Sequence, residues 1–265
     1  LGDVYKRQGE AIGLVIERKG HYRLTRKGAV LIGLPGVTAL IEHHKILYQD
    51  LLNPVGFFKG VEETQLSKFW PYVFGGGMDL KSSEVEKYSD LMSESQHLVA
   101  ADTLAAVNIP SVCRFLDVGG GKGTFVSELK KIHPKVDAAV FDLPGSHSEN
   151  SGHRCIIGSF KEDDLPAGYD IISLVRILYD HRDETIRDLL GKAYSALDKG
   201  GRLIVSEPML GADRPTLWGD VYFAMYTLAM STGKTRSPDQ VSEFIKDAGF
   251  SNVTIHKSAR PFITT

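Results

Sequence analysis

The chain has little of what marks a secreted, membrane-spanning or metal-binding protein. It contains two cysteines in 265 residues, Cys113 and Cys155, which are too few for a disulfide framework and are not spaced as metal ligands. Its apolar runs end well short of the about 18 residues that a membrane-spanning helix needs. No secretory signal is visible near its start. We therefore expect a cytoplasmic protein with no bound metal.

An excess of charge of one sign is also lacking. The 31 lysines and arginines nearly balance the 33 aspartates and glutamates, which gives a formal net charge of −2. This balance provides no electrostatic reason to expect nucleic acid or an anionic membrane as a partner. Hydrophobic residues make up 42% of the chain, a share typical of a globular protein with one large domain, or with one medium and one small domain.

Two regions of the chain differ in their pattern. Residues 9–108 contain helical patterns and a short hairpin whose turn holds Gly20, whereas residues 109–265 alternate strands with helices. Because Pro110 discourages helix continuation, we place the domain boundary just before it, after residue 108. Residues 1–8 read like translated linker sequence and are set aside.

The hairpin looks like the wing of a winged-helix unit whose earlier helices are missing. Its basic residues could contact DNA phosphates, but no recognition helix supports that interpretation, and a solvated hairpin face is the simpler one. A long amphipathic helix over residues 83–107 follows. We therefore expect a partial, mostly helical N-terminal region of winged-helix type.

The second region predicts a mostly parallel sheet covered by helices on both faces, which is a doubly wound α/β fold. Gly200 and Gly201 are expected to end the helix that begins near Asp183, and a capping-box pattern at Ser237 to open the last helix. The predicted strands are residues 113–118, 136–141, 171–175, 202–206 and 252–257.

A glycine cluster directly follows the first of these strands. Gly119, Gly121 and Gly123 let the backbone turn sharply and approach a ligand closely, and the next helix offers its N–H groups to a carboxylate or phosphate. Ligands of open α/β sheets bind beyond the carboxyl ends of the strands, which is where this cluster lies. The glycine loop is therefore the predicted cofactor site.

Two kinds of cofactor compete for such a loop. The nicotinamide fingerprint G-x-G-x-x-G/A requires glycine or alanine where Thr124 stands, and the register counted from Gly121 requires one where Val126 stands. Asp117, two residues before the first glycine, would repel a pyrophosphate but can accept a hydrogen bond from an ammonium group. S-adenosylmethionine carries an α-amino group and no phosphate, so the pattern favours this methyl donor over a nicotinamide cofactor.

Asp142 closes the second predicted strand, about twenty residues beyond the loop. A carboxylate at this place can accept hydrogen bonds from both ribose hydroxyls of a bound nucleoside. The alternative is a turn or helix-capping aspartate before Leu143 and Pro144. With the glycine loop present, we favour ribose binding.

Several motifs along the chain point to one family. They are Leu116-Asp-Val-Gly-Gly-Gly121, Phe141-Asp-Leu-Pro144, Gly158-Ser-Phe160, Val175-Arg-Ile-Leu-Tyr-Asp-His181, Ser206-Glu-Pro-Met209 and the segment 219–230. They resemble the small-molecule O-methyltransferases that include the plant phenolic and acetylserotonin methyltransferases, and most of all the bacterial hydroxycarotenoid (demethylspheroidene-type) members. The resemblance implies a homodimeric enzyme that methylates a hydroxyl of an apolar small molecule. Peripheral contact with a membrane, to reach a lipophilic substrate, is a further expectation.

The resemblance also implies which residues hold the methyl donor. Plant members have Asp-Met where Ser159 and Phe160 stand; serine can still hydrogen-bond to adenine, and phenylalanine can pack on its ring. Met92 matches a methionine that packs near the donor, with a plain core position as the alternative. The implied donor-binding residues are Asp117, Gly119, Gly120, Gly121, Asp142, Leu143, Ser159, Phe160 and Arg176.

The catalytic residues depart from the family pattern. Where plant members have His-Asp-Trp, with the histidine as general base, this chain has Tyr179, Asp180 and His181. Tyrosine, with a reference pKa near 10, is a poor base at neutral pH, and the histidine lies two residues later. We predict His181 as base or proton acceptor, oriented by Asp180 and Glu207, with Tyr179 as the substitute. A helix-capping role for His181 before Asp183 stays open.

These departures, together with Thr235 at the place of a second acidic residue of the plant members, are consistent with an aliphatic alcohol as acceptor. Such an alcohol is too weak an acid for histidine to deprotonate it first, so methyl transfer depends on in-line alignment with proton loss late or concerted. The aromatic and sulfur-rich segment 222–230 is either a wall of an apolar pocket or part of the core or a dimer interface. A hydroxycarotenoid is the expected acceptor. A phenol, quinone or polyketide acceptor and a non-enzymatic donor-binding regulator are the alternatives.

Overall fold

A computed structural model of the chain describes residues 2–33, 35–61, 63–69, 82–146, 152–256, 258 and 263–265. Contacts divide the chain into two compact units, Leu1–Ile46 and Leu47–Thr265. The region 9–108 that the sequence sets apart is thus shared between the two units, and its later part belongs to the unit that contains the sheet. The domain boundary after residue 108 stays a prediction.

The first unit is built on the predicted hairpin. Its strands pair antiparallel, and Lys19 and Gly20 in the turn both have positive φ, 52° and 76°, as a two-residue hairpin turn requires. Residues set aside in the sequence form part of a helix here, and Nζ of Lys6 lies 5.5 Å from the centre of the Tyr22 ring. The elements are α1 (Gly2–Ala11), β1 (Val15–Arg18), β2 (His21–Leu24), α2 (Arg26–Gly33) and the start of α3 (Pro35–Asp50).

The second unit contains a five-stranded sheet in the order β5-β4-β3-β6-β7, with every pair parallel. The chain moves outward from β3 through β4 to β5 and then returns to the other side of β3 as β6. Ligands of doubly wound folds bind at this reversal, beyond the carboxyl ends of the two central strands. The strands are β3 (Arg114–Val118), β4 (Asp137–Asp142), β5 (Arg154–Ile157), β6 (Tyr169–Val175) and β7 (Leu197–Ser206).

Helices cover both faces of this sheet. Alternating side chains of β3 show the two layers, because Phe115 packs with Phe125 of α7 and Leu116 packs in the cluster that contains Leu190 of α8. The predicted doubly wound α/β fold is therefore confirmed. The helices are α4 (Pro54–Lys59), α5 (Gln65–Phe69), α6 (Ser82–Ala106), α7 (Thr124–Ile132), α8 (Asp183–Ala196), α9 (Ala224–Met230) and α10 (Pro238–Asp247).

Two predicted boundaries are wrong. Helix α8 ends at Ala196, well before Gly200, because Leu197 already has the extended angles φ −74° and ψ 142° and begins β7. Residues 252–256 of the predicted last strand form no regular strand; their backbone pairing is confined to His256 with Thr265, and residue 257 lies outside the described residues. A single pair of hydrogen bonds does not extend into a ladder.

Strand β5 and a π-helix over Leu217–Phe223, which leads directly into α9, were not predicted. Within the described residues, no helix is both long and apolar enough to cross a membrane.

Candidate active site

The glycine loop after β3 is shaped by left-handed backbone conformations. Gly119 and Gly121 have φ of 69° and 54°, which side chains other than glycine rarely adopt. The N–H of Gly119 donates to the carbonyl of Phe141 over 2.8 Å, which ties the loop to the end of β4. A Cβ on Gly121 would meet no atom within 4 Å, whereas one on Gly120 would lie 2.4 Å from Oδ2 of Asp117. The loop is therefore tightly packed against Asp117 at Gly120, whereas the space beside Gly121 is open.

Asp117 lies at the base of this loop and is 1% exposed. Its Oδ1 atom accepts a hydrogen bond from Oγ of Ser173 over 2.5 Å, and its Oδ2 atom has no hydrogen-bond partner among the described residues. Burial raises the pKa of Asp117 to about 7, the bond from Ser173 opposes that rise and the nearby Asp142 carboxylate adds to it. The free acceptor atom fits a ligand that brings a hydrogen-bond donor.

Asp142 ends β4 with its carboxylate turned toward the glycine loop. Its Oδ2 atom accepts the N–H of Gly121 over 2.6 Å, and its Oδ1 atom accepts the N–H of Leu143 over 2.7 Å. Each carboxylate oxygen can accept a second hydrogen bond, so both stay able to bind a hydroxyl. The structure therefore brings the predicted ribose-binding acid and the predicted loop together.

The adenine-contacting candidates lie at the same edge of the sheet. The N–H of Gly158, one residue before Ser159, donates to the carbonyl of Asp142 over 3.0 Å. The Ser159 N–H donates to Asp163, and its Oγ accepts the N–H of residue 161 over 3.3 Å. The ring of Phe160 packs edge-on against His181, with 5.2 Å between the ring centres.

Arg176 connects the end of β6 to helix α6. Its guanidinium donates to Oγ of Ser95 over 2.8 Å and reaches Sδ of Met92 at 3.3 Å. Its backbone has φ of 61°, a left-handed conformation that costs free energy in any residue except glycine. The predicted donor-side residues Arg176 and Met92 therefore lie together, at a point where the backbone is strained.

Glu207 holds the turn that follows β6. It is 1% exposed, and its Oε1 atom accepts the N–H groups of Ile177 and Leu178, both over 2.8 Å. Its Oε2 atom accepts the N–H of Tyr179 over 3.4 Å. Burial raises the pKa of Glu207 to about 7, against the effect of these backbone bonds and of Arg176. The carboxylate thus orients the backbone of the turn.

Tyr179 and Asp180 belong to the 3₁₀ turn Leu178–Asp180 that Glu207 holds. The Tyr179 ring packs edge-on against Phe223 of the π-helix, with 5.9 Å between ring centres. Asp180 is 8% exposed, and its pKa is raised well above the usual range by burial and by Glu207. The nearby Arg176 and a hydrogen bond from the Tyr179 side chain oppose that rise.

His181 lies in a different environment from these two residues. Its carbonyl accepts Nη2 of Arg236 over 2.9 Å, and its ring contacts Phe160. Burial and the cations Lys161 and Arg236 lower the pKa of His181 to about 3. Among the described residues, no hydrogen bond joins its ring to Asp180 or Glu207. The N-cap of α8 is Arg182, so His181 does not have the capping role that was the alternative.

The sequence model of a protein family, the O-methyltransferase domain, matches residues 48–251. The chain belongs to this O-methyltransferase family. It is 44% identical over 259 residues to demethylspheroidene O-methyltransferase of Rhodobacter capsulatus, an alignment that covers 96% of this chain and 66% of that protein. It is 42% identical over 268 residues to the protein of the same name from Cereibacter sphaeroides, with coverage of 97% and 71%.

The chain therefore spans about two thirds of the length of these relatives. In fold, it is similar to human N-acetylserotonin methyltransferase in complex with SAM, with a TM-score of 0.70, 21% identity, and coverage of 99% of this chain and 80% of that one. The predicted family is confirmed, and the alternative of a nicotinamide-dependent oxidoreductase is dropped.

One residue of this O-methyltransferase site, Arg236, was missed in the sequence. Arg236, 3% exposed, donates to the carbonyls of Leu178 and His181 and to Asp183, and so holds the turn from the side opposite Glu207. No signal in the sequence marks this arginine, because its partners are backbone carbonyls about 55 residues away. Thr235, at the place of the family's second acid, is buried beside it.

The aromatic segment singled out in the sequence forms a ring cluster that begins in the π-helix. Tyr222 packs against Phe223 at 4.8 Å, against Tyr226 at 6.0 Å and against Trp218 at 6.3 Å between ring centres. Burial raises the pKa of Tyr222 to about 12, with Arg176 acting against it. Tyr226 is buried, so part of the segment 222–230 is core. The π-helix is a form that often marks functional sites.

Proposed function

We propose that the protein is an S-adenosylmethionine-dependent O-methyltransferase that methylates a hydroxyl of a hydroxycarotenoid. The observation that carries this proposal is the identity of 44% and 42%, over nearly the whole chain, to two demethylspheroidene O-methyltransferases. The chain's own donor-side and acceptor-side residues support it.

The donor-side residues fit a sulfonium nucleoside. Asp142 offers two carboxylate oxygens to ribose hydroxyls, and Asp117 holds one hydrogen-bond acceptor without a partner among the described residues. Gly121 leaves open space for close approach of a ligand. Bound S-adenosylmethionine would supply an electrophilic methyl group at a positively charged sulfur. Two carboxylates at the loop suit that positive charge and oppose a pyrophosphate.

The acceptor-side residues suit an apolar molecule. Tyr179, Phe223 and Tyr222 form a continuous run of ring contacts that begins at the turn after β6. Apolar pockets with a few placed polar groups are the usual form of small-molecule sites. An aromatic wall of this kind suits a long apolar polyene.

A direct assay separates the candidate acceptors. We would incubate the full-length protein with methyl-labelled S-adenosylmethionine and, in parallel, with demethylspheroidene, a simple phenol and a hydroxyquinone. The proposal predicts label in the carotenoid as a methyl ether at a rate well above that with the other two. Preferred labelling of the phenol or quinone would instead support the alternative acceptor class. Donor binding without transfer to any acceptor would support a regulator.

Assembly and location are part of the same proposal. We propose a homodimer that works in the cytoplasm and meets the membrane surface only to take up its lipophilic acceptor. Light scattering on the full-length protein measures the mass in solution, and sedimentation with lipid vesicles measures membrane contact. A monomeric mass would contradict the first part, and absence from the vesicle pellet in the presence of acceptor would contradict the second.

A further inference from the structure

We propose that the proton of the acceptor hydroxyl leaves through the hydroxyl of Tyr179 to the carboxylate of Asp180, which holds it after methyl transfer. This inference rests on the proposed methyltransferase function and assigns the proton route within that site. It gives Tyr179 and Asp180 the task that a histidine performs in plant members of the family. His181 has no part in it.

The position of the turn after β6 is the first observation. A Cβ on Gly119 would lie 2.3 Å from Cδ1 of Ile177, so this turn packs directly on the donor loop. Two residues later, the Tyr179 ring packs against Phe223 in the aromatic cluster. Tyr179 thus lies between the loop that binds the donor and the wall proposed for the acceptor. Glu207 and Arg236 hold this turn from two sides.

The surroundings of Asp180 are the second observation. The Tyr179 side chain hydrogen-bonds to Asp180, and Oδ1 of Asp180 has no hydrogen-bond partner among the described residues. A buried acceptor atom without a partner is rare and costly in proteins. Glu207 is less suited to receive a proton, because its oxygens already accept backbone N–H groups of residues 177–179.

The surroundings of His181 are the third observation. Its ring contacts Phe160, and the charged groups that act on it are the cations Lys161 and Arg236. An imidazole near two cations binds a further proton weakly. Among the described residues, no carboxylate is among the charged groups that shift the pKa of His181.

The step balances in atoms and charge. The acceptor oxygen forms a bond to the methyl carbon as the carbon–sulfur bond breaks, and the electron pair of that bond stays on sulfur. The hydroxyl proton passes to Oη of Tyr179 while the Tyr179 proton passes to Asp180. A sulfonium cation and a carboxylate are thereby replaced by a neutral thioether and a neutral carboxylic acid. Removing two opposite charges together suits a buried site.

Among the described residues, the charged groups that act on Asp180 are Glu207, directly after β7, and Arg176, directly after β6. In the empty site, burial and Glu207 favour the protonated form of Asp180. A sulfonium cation brought close to it favours the ionised form. Binding of S-adenosylmethionine should therefore release a proton from Asp180, whereas binding of the product S-adenosylhomocysteine, whose sulfur carries no charge, should not.

Calorimetry of the full-length protein tests this difference without any acceptor. Titrations near pH 7 in buffers of different ionisation enthalpy give the number of protons released with each of the two ligands. We expect more protons released with S-adenosylmethionine than with S-adenosylhomocysteine, by up to about one proton. We expect this difference to vanish in Asp180→Asn and to persist in the exposed control Asp213→Asn.

Three outcomes would overturn the assignment. They are no difference between the ligands in the unmodified protein, a difference that survives in Asp180→Asn, and a difference lost only in Glu207→Gln. Failure of the protein to bind either ligand would instead reject the proposed function, so the two failures are distinguishable.

Transfer kinetics test the role of the tyrosine. Tyr179→Phe should lower the single-turnover transfer rate about 100-fold, the size of a typical proton-transfer contribution, while the affinity for S-adenosylhomocysteine stays unchanged. His181→Gln should lower the rate less than Tyr179→Phe does. The reverse order of the two variants, or loss of ligand affinity in Tyr179→Phe to match its loss of rate, would contradict the relay.

Discussion

Gly121 donates its backbone N–H to Oδ2 of Asp142 over 2.6 Å, which joins the glycine loop after β3 to the carboxylate that ends β4. The second oxygen of Asp142 is held by the N–H of Leu143. Two backbone donors therefore fix the orientation of this carboxylate before any ligand arrives. Preorganised groups of this kind lose little entropy when they bind.

Replacing Asp142 with asparagine should weaken donor binding. In the variant, the amide NH₂ would face one of the two backbone N–H groups that donate to a carboxylate oxygen in the unmodified protein. One of the two oxygens that accept from the ribose hydroxyls would also be lost. We expect the Kd for S-adenosylhomocysteine to rise about 10- to 100-fold, as for the loss of hydrogen bonds to a charged group. The control is Asp137→Asn at the other end of β4, which should bind normally. Equal affinity of both variants would refute the ribose role of Asp142.

Two glycine substitutions should separate stability from binding. Gly120→Ala places a Cβ 2.4 Å from the buried Oδ2 of Asp117 and should cost about 1 to 3 kcal/mol of unfolding free energy. Gly121→Ala meets no atom, so it should cost only about 1 kcal/mol for its left-handed backbone. Its methyl group enters the space proposed for the donor and should raise the Kd for S-adenosylhomocysteine.

The matched control for Gly121 is Gly200, which also has positive φ and open space around it but lies at the start of β7. Gly200→Ala should show the same loss of stability in urea unfolding and no change in donor affinity. A Gly121→Ala protein that binds the donor as well as Gly200→Ala does would show that the loop is not the donor site.

Asp117 should make the protein less stable as pH rises. Its pKa is raised from 3.8 to about 7, so the folded protein keeps a proton that the unfolded chain has released. The contribution of the protonated Asp117 to the free energy of unfolding is fully present below pH 3.8 and is lost as pH rises through about 7. This pKa shift corresponds to at most about 4 kcal/mol of unfolding free energy, at 1.36 kcal/mol per pKa unit.

The neutral variant Asp117→Asn isolates this contribution, because Glu207 shifts in the same direction and stays in both proteins. The variant should gain stability relative to the unmodified protein as pH rises from 3.8 to about 7. Urea unfolding across this range measures the difference. Parallel stability curves for the two proteins would show that Asp117 is not protonated in the folded state.

Because the backbone of Arg176 is strained, replacement by glycine should give a more stable protein than replacement by alanine, which reverses the usual order. Both Arg176→Gly and Arg176→Ala lose the contacts to Ser95 and Met92, but glycine tolerates φ of 61°. The glycine variant should therefore be more stable by about 1 kcal/mol. At Arg187 in α8, glycine should be less stable than alanine by about 1 kcal/mol. The same order at both positions in urea unfolding would rule out backbone strain at Arg176.

Much of the fold could be predicted because its signals are local. Four parallel strands and the helices between them follow from apolar runs and hydrophobic periodicity, and the glycine loop from residue types that tolerate positive φ. Strand β5 was missed because its four residues include two that are exposed, so no buried run marks it. The end of α8 was predicted at Gly200 because glycine commonly ends a helix, whereas the chain already enters β7 at Leu197.

The site was predicted less completely because its contacts join distant parts of the chain. Asp142 ends one strand and the glycine loop follows its neighbour, so their approach follows from strand order alone. Glu207 reaches the turn at 177–179 only because β6 and β7 pair in the register Val175 with Ser206. The position of His181, beside Phe160 and Arg236, depends on packing between loops that no periodicity encodes.

A crystal structure of the full-length protein with S-adenosylhomocysteine is the most direct test of the central claim. The account predicts the ribose hydroxyls within hydrogen-bond distance of the Asp142 carboxylate and the amino acid end of the ligand above Gly119 and Gly121. A ligand bound elsewhere, or a ribose that makes no contact with Asp142, would contradict it.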